Sequence, residues 1–354
     1  MQTKVAFHII PKLTNGGAET VLSRLVEEFK DNNIDQFVIT LNGSLTDFHY
    51  AAINKFATIV DWKTNPEGVE KIILQNRKAP IIAWMYPAIF LVHKLKFRFK
   101  TENPIFWNIR HSIFRWNQIY QKLALFAFSF YSHLKQPKII YCSYRAKEVH
   151  EIYFFSKKNS VVIQNRLAKK QNLNPLEVNE TDEKTDPFFL YVGRYDPIKG
   201  PKRLVQITRA FFLEYPRINL KIAGSGWTVD KIPKQIRGRV FLLGNVKNIF
   251  PLYQTAKALL FTSYAEGYPN VLVEAVVSGV PIIGFEAGDS KLILDNYKFG
   301  YSVNTRSEFI EKLRFVLDNL ISEEEKENEI VRQQKLLDFR ITALEYLQFL
   351  EQSS

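Results

Sequence analysis

Short apolar runs alternate with helix-patterned stretches along almost the whole of this chain, and that alternation leaves few folds open. A run of about four to eight apolar residues suits a buried strand, and roughly ten or more patterned residues between two such runs suffice for a helix that crosses over a sheet. In the first half, the runs at 5–9, 37–41, 59–61, 81–85, 105–109, 139–142 and 161–163 read as strands, with a first helix from about 18 to 30. In the second half the runs fall at 188–192, 220–223, 240–243, 258–262, 282–285 and 301–303. Strand and helix in strict turn argue for parallel, doubly wound α/β sheets. A chain of 354 residues is too long for one ordinary core and fits two such domains. Residues 166–186 are polar and lack aromatics, as an interdomain linker would. The expected division is therefore 1–165, the linker 166–186, 187–321, and a helical end at 322–354. No internal repeat or low-complexity segment interrupts it.

Chemistry concentrates where second-half strands end. After the run at 258–262, Gly267 and Pro269 break the strand, and Val271, Leu272, Ala275 and Val276 recur at helical spacing from Asn270. Glu266 then sits on a loop and Glu274 one turn into a helix, at the strand's C-terminal end, where open α/β sheets bind ligands. Backbone N–H groups of residues 268–271 would point toward a phosphate there. Another strand stops at Gly193 and delivers Arg194 and Lys199 onto a loop closed by Gly200. Arg can fork across two diphosphate oxygens, while Lys supplies a compact charge. A third strand ends in the turn Gly224-Ser-Gly226. Each element has a plainer reading: a capping arrangement for the two glutamates, a solvated basic loop, an ordinary glycine turn. Together they describe a nucleotide-sugar site.

In order and spacing, Gly193, Arg194, Lys199, Gly200, Gly224, Gly226, Glu266, Glu274, Gly279 and Pro281 resemble the C-terminal domain of family-four retaining glycosyltransferases, the glycosyltransferase group 1 type. Asn15-Gly16-Gly17-Ala18-Glu19 and the block from Trp107 to Ser112 are weaker first-half likenesses. The resemblance implies a GT-B fold, two Rossmann-like domains facing across a cleft, the first binding acceptor and the second nucleotide sugar. It also implies a last helix that crosses back to the first domain. Glu266 would bond donor-sugar hydroxyls, Glu274 the ribose, and the backbone of Gly267, Tyr268, Pro269, Asn270 and Val271 the diphosphate. Gly16, Gly17, Gly193, Gly224 and Gly226 would let backbone approach the donor closely, with Arg194 and Lys199 stabilising the leaving group. His111 would touch the transferred sugar or acceptor and Arg110 an acceptor phosphate; either residue could equally be structural. The implied activity is metal-independent transfer of a hexosyl or N-acetylhexosaminyl group from a UDP- or GDP-sugar co-substrate, with no other cofactor. The acceptor would be a glycan or polyprenyl-diphosphate-linked oligosaccharide of capsule, O-antigen, lipopolysaccharide or exopolysaccharide synthesis. Two features depart from the pattern: Asn165-Arg166 stands where Asn-Gly is usual, and the loop 286–291 lacks the usual Pro-Glu. An epimerase or a non-catalytic sugar binder on the same fold are the alternatives. A Rossmann oxidoreductase fails at Val229, where the third small residue of its fingerprint belongs.

Charge is uneven. Before residue 171 there are 25 basic and 12 acidic residues, and after it 23 and 24, so the first half carries the whole excess behind the net +12. Residues 91–140 hold Lys94, Lys96, Arg98, Lys100, Arg110, Arg115, Lys122, Lys135 and Lys138 against Glu102 alone. Phe90, Phe97, Phe99, Phe106, Trp107, Phe114, Trp116 and Tyr120 are interleaved with them. Such a patch suits an anionic membrane surface, or else a core with solvated lysines. Nucleic acid is not expected, because no nucleic-acid-binding motif accompanies the charge. One cysteine, Cys142, rules out an intrachain disulfide and suits a reducing compartment. With neither a secretory pattern nor a spanning run, the expected place is the cytoplasm, peripheral to the inner face of the cell membrane.

Overall fold

Two parallel sheets carry the chain in this computed structural model, which describes residues 4–14, 16–42, 48–112, 119–167 and 186–352, with backbone alone for residues 48 and 119–124. The first sheet has seven strands in the order β3-β2-β1-β4-β5-β6-β7. They are β1 Val5–Ile10, β2 Asp35–Thr40, β3 Thr58–Asp61, β4 Ile81–Trp84, β5 Ile105–Ile109, β6 Lys138–Tyr141 and β7 Ser160–Val162. The second has six in the order β10-β9-β8-β11-β12-β13, namely β8 Phe188–Val192, β9 Asn219–Ala223, β10 Val240–Gly244, β11 Ala258–Phe261, β12 Ile282–Phe285 and β13 Gly300–Val303. Every neighbouring pair runs parallel, so each strand needs a crossover and both sheet faces are covered.

The helices are α1 Gly17–Asp31, α2 Phe48–Ile53, α3 Pro66–Gln75, α4 Met85–Phe99, α5 Ile119–Lys135, α6 Tyr144–Ile152, α7 Pro201–Glu214, α8 Phe250–Thr255, α9 Asn270–Val277, α10 Ser290–Asp295, α11 Arg306–Asp318, α12 Glu323–Leu336 and α13 Phe339–Glu351. In α1, Val21, Leu22, Leu25, Val26 and Phe29 are buried at helical spacing. Asn65 caps α3 by accepting from the Gly68 N–H, and Thr305 caps α11 from the Glu308 N–H. The chain divides into two compact units, 1–165 with 339–354, and 166–338. Each sheet reverses direction beside its first strand: between β1 and β4 in unit 1, and between β8 and β11 in unit 2.

Three expectations change. Met85, read as the end of a strand, opens α4 instead, at φ 64, where the chain turns straight from β4 into the helix. The helical end 322–351 is two helices, α12 in unit 2 and α13 in unit 1, because the chain breaks at Leu337 and Asp338. Phe106 and Trp107, placed among surface aromatics, are fully buried: β5 is central in its sheet, so both faces of it are covered. Of the same patch, Phe114, Arg115 and Trp116 lie outside the described residues, as do 168–185 of the linker and Asn15. Leu167 at the linker's start is buried, and so is Cys142.

Candidate active site

Residues from two neighbouring strands meet at the unit 2 switch point. Beyond β8, the Gly193 N–H donates to the Ala223 carbonyl at 2.8 Å and the Tyr195 N–H to Ser225 at 2.8 Å, which ties this loop to the turn after β9. Asp196 then caps a single 3-10 turn, Pro197–Lys199, through the Ile198 N–H. The turn ends at Gly200, whose φ is 69 and whose missing Cβ would stand 1.9 Å from the Thr262 carbonyl oxygen. Only glycine permits both that conformation and that approach. Thr262, just past β11, donates its hydroxyl toward the Lys199 and Gly200 carbonyls at 3.1 Å each, and Tyr191 donates to Lys199 at 3.1 Å.

Stapling the two loops brings the Lys199 ammonium 2.6 Å from Glu266 Oε1, which also accepts from the Ser263 hydroxyl at 2.8 Å. Both charged side chains are mostly buried. Arg194 is 65% exposed and paired to Asp196 at 3.3 Å. Its guanidinium therefore stands on the solvent side of the same loop. Lys199 and Glu266, expected to serve different parts of a donor, are in direct contact.

Further along, Pro269 precedes α9, whose Asn270 and Val271 begin the first turn. Glu274 accepts from the Tyr253 hydroxyl at 3.3 Å. Tyr268 is buried, and burial raises its phenol far above its ordinary range. The Gly267 carbonyl accepts from the Asp289 N–H at 3.1 Å, and a Cβ on Gly288 would come within 2.2 Å of the Glu266 carbonyl oxygen. The 286–289 loop thus backs the Glu266 loop directly. Gly224, at φ 145, would put a Cβ 2.2 Å from the Gly193 carbonyl oxygen, and Gly226 lies at φ 80. Trp227 donates from Nε1 to that Gly193 carbonyl at 3.0 Å.

Unit 1 presents a second cluster at the C-terminal ends of its strands. Gly16 lies at an ordinary extended φ of −123, so conformational freedom is not its reason. A Cβ there would meet Glu19 Oε2 at 2.5 Å, because the Glu19 carboxylate folds back to accept from the Thr14 hydroxyl at 2.8 Å. Gly17 is the first residue of α1. His111 follows β5 and packs edge-on to Tyr86, with ring centroids 5.3 Å apart. Burial pushes its pKa down to about 4, so the imidazole is neutral near pH 7. The Tyr86 hydroxyl stands 2.6 Å from His150 Nε2, and His150 Nδ1 faces the Ala146 carbonyl at 2.6 Å. Nδ1 therefore carries the proton and Nε2 accepts from Tyr86. Arg110, the expected phosphate contact, is engaged internally: it donates to Asn165 and to the Tyr346 hydroxyl of α13 and lies over the Trp84 ring.

Ser263 and Tyr253 escaped the sequence reading, and Thr262 entered it only as the end of an apolar run. The only local sign of Thr262 and Ser263 was two small hydroxyl residues closing an apolar strand.

Comparison with known proteins matches residues 153–335 to the family described as "Glycosyl transferases group 1". The chain is similar to an uncharacterised glycosyltransferase of Methanocaldococcus jannaschii, at 28% identity over 210 residues, 55% of this chain and 51% of that protein. It is also similar to a Campylobacter jejuni N-acetyl-D-galactosaminyltransferase, named for a diNAcBac-PP-undecaprenol-linked glycan, at 29% identity over 164 residues, 43% of this chain and 44% of that one. The chain thus spans about half the length of the curated relatives it matches. Among solved structures, Anabaena HepE in complex with UDP superposes with a TM-score of 0.75 at 14% identity, over 99% of both chains. With its two parallel-sheet units, the fold is GT-B.

Proposed function

The chain belongs to the group 1 glycosyl transferases, and from that premise we propose that it is a family-four, retaining enzyme that moves a hexosyl or N-acetylhexosaminyl group from a UDP- or GDP-sugar to a glycan acceptor. The observation that carries the reading is the Lys199–Glu266 contact at the β8–β11 switch point, where open α/β sheets hold ligands. In the reaction, the bond between the anomeric carbon and the β-phosphate oxygen breaks, and its electron pair stays on the departing diphosphate. The acceptor hydroxyl attacks the same face, forms the new C–O bond and gives its proton to that phosphate oxygen. Arg194, Lys199 and the N–H groups opening α9 would stabilise the charge on the leaving group without a metal. Glu266 would hold sugar hydroxyls, with Ser263 and Lys199 fixing its orientation. Glu274, braced by Tyr253, would accept from the ribose.

His111, neutral and packed on Tyr86, would meet the sugar or acceptor through a hydrogen bond. Unit 1 would supply the acceptor side. The Campylobacter relative's name supports a polyprenyl-diphosphate-linked oligosaccharide as acceptor, and the UDP in the HepE structure supports a nucleoside diphosphate donor. The basic half of the chain supports work at the inner face of a membrane, in the synthesis of a cell-surface polysaccharide.

A thermal-shift panel of UDP, GDP, ADP, their common sugar conjugates and NAD, with and without EDTA, tests the donor site on wild type and Glu274→Ala. Stabilisation by one nucleoside diphosphate, insensitive to EDTA and reduced in the variant, is expected. A response to NAD alone, or to none of them, would overturn the reading.

A further inference from the structure

The outer face of α4 and α5 is apolar where a water-facing helix layer is ordinarily polar. On α4, Phe90 and Phe97 stand two turns apart on one face with Lys94 between them, and Phe97 is 90% exposed. On α5, Phe126, Phe130 and Leu134 recur every fourth residue and are likewise exposed, Phe126 at 70%. The two helices are neighbours in one layer: Tyr86 stacks on Phe128 at 5.0 Å and His93 meets Tyr131 edge-on at 4.6 Å. Among the described residues, no helix is long and apolar enough to cross a membrane, so these stripes lie on a folded surface rather than in a span.

Between the C-terminal halves of α4 and α5 a cavity of about 380 Å³ opens beside Phe97, lined by Pro104, Ile105 and Tyr131, with Lys96 and Lys135 in its wall. Trp107 Nε1 donates to His93 Nε2 at 2.9 Å, and His93 Nδ1 lies 3.0 Å from the Tyr131 oxygen. Since Nε2 accepts, the His93 proton is on Nδ1 and is given to Tyr131. The Tyr131 hydroxyl hydrogen is then left for an acceptor, and none is found among the described residues. Lys96 reaches only the Asn103 carbonyl, at 3.4 Å, and no carboxylate pairs with Lys96 or Lys135 among the described residues. Lys138 also lines the cavity, with its ammonium 5.6 Å from the centre of the Phe106 ring. A phenol O–H and two ammonium groups around an apolar floor suit a phosphate that carries hydrocarbon.

We propose that the α4–α5 face docks on an anionic bilayer, and that the cavity beside Phe97 receives the phosphate of one lipid headgroup. Lys96 and Lys135 also complement the C-terminal ends of their helices, but that role leaves the five exposed apolar side chains unexplained. A free anion would not call for the phenylalanines either. A second copy of the chain would set lysine against lysine, with Glu102 the sole acid in 91–140. The cavity opens at the start of β5 and β6, at the opposite end of β5 from His111, so it tethers the chain without entering the candidate active site. This proposal rests on the membrane association suggested above and not on the donor chemistry.

Flotation of the full chain with phosphatidylcholine vesicles, with and without phosphatidylglycerol, tests it. Wild type is expected to float only with phosphatidylglycerol. Phe90→Ser with Phe97→Ser, and Phe126→Ser with Phe130→Ser, should abolish flotation. Lys96→Glu with Lys135→Glu should lower partitioning at least about tenfold, while Lys63→Glu, an exposed charge elsewhere on unit 1, should leave it within about a factor of three. Tyr131→Phe should weaken it a few-fold. Each variant is checked for folding by its UDP-induced thermal shift. Variants that float like wild type, or equal flotation with neutral vesicles, overturn the proposal. So does a dimer broken by the serine substitutions without flotation, which assigns the face to a second copy. Stabilisation by inorganic phosphate that Tyr131→Phe removes, again without flotation, assigns the cavity to a soluble anion and also overturns it. Flotation without any UDP response would sink the donor reading alone; a UDP response without flotation would sink this one alone.

Discussion

Glu266 Oε1 takes two donors at once, the Lys199 ammonium at 2.6 Å and the Ser263 hydroxyl at 2.8 Å, and this shared oxygen makes the two charged residues one unit. Substitutions in such a unit are not additive. Lys199→Ala and Glu266→Gln should each lower kcat/KM about a hundredfold or more, the scale of losing one preorganised electrostatic contact. The double variant should then be little worse than the poorer single one. Steady-state kinetics on the four proteins checks this, and fully additive losses would show that the two residues act apart. The residue types and the loop were legible in the sequence, since Gly-Pro punctuation and an apolar run are local signals. The contact was not, because 67 residues separate its members. Arg110 shows the same limit: as a cation beside His111 it reads in sequence as an acceptor-phosphate contact or as a structural residue alike, and only the fold sets its guanidinium on Asn165 and Tyr346. Sequence records that a residue is charged and leaves out what already neutralises or binds it.

At the scale of elements, α12 is held to unit 2 by a compact polar knot. Burial raises the Glu329 pKa, but donors overcome it: Arg332 at 2.6 and 2.7 Å, Gln333 at 2.8 Å and the Lys298 N–H at 3.1 Å bring the carboxyl down to about 2. A depressed carboxyl stabilises the fold above its unfolded pKa of 4.5, and that contribution is lost as pH falls toward about 2. Glu329→Gln should therefore cost about 1.5 to 3 kcal/mol near neutrality, seen as a lower denaturant midpoint, and the difference from wild type should shrink below pH 4.5. A penalty that is the same at pH 3 and pH 7 would show that the charge is irrelevant. Packing explains why α12 sits here: a Cβ on Gly279, just past α9, would strike Ile330 and Lys326 of α12. The sequence showed helical spacing on both sides of residue 337 but no sign that the two helices belong to different units. Spacing along one chain defines an apolar face without saying which sheet that face will cover.

For the molecule as a whole, the six histidines all lie in unit 1. Burial lowers four of them: His8, His93 and His111 to about 4, and His150 to about 3. Below the ordinary value of 6.5, the unfolded chain binds protons that the folded unit refuses, so stability is full above 6.5 and drains away as pH falls toward 4. Each such histidine can account for up to roughly 3 kcal/mol over that window. Acidification from pH 7 to pH 4.5 should therefore unfold unit 1 before unit 2, which hydrogen exchange resolved by segment would record; simultaneous loss of both units would contradict it. The sequence by itself determined the strands of the described residues, their parallel class and the loops that bear Arg194, Lys199, Glu266 and Glu274, because strand length, helical spacing and glycine geometry are properties of neighbouring residues. Only the tertiary structure decided strand order, and with it the meeting of Lys199 and Glu266 beside β8 and β11, the burial of Phe106 and Trp107, and the exposure of Phe97 and Phe126. An apolar side chain reads alike in sequence whether it faces a core or water, since only packing against distant residues can tell the two apart.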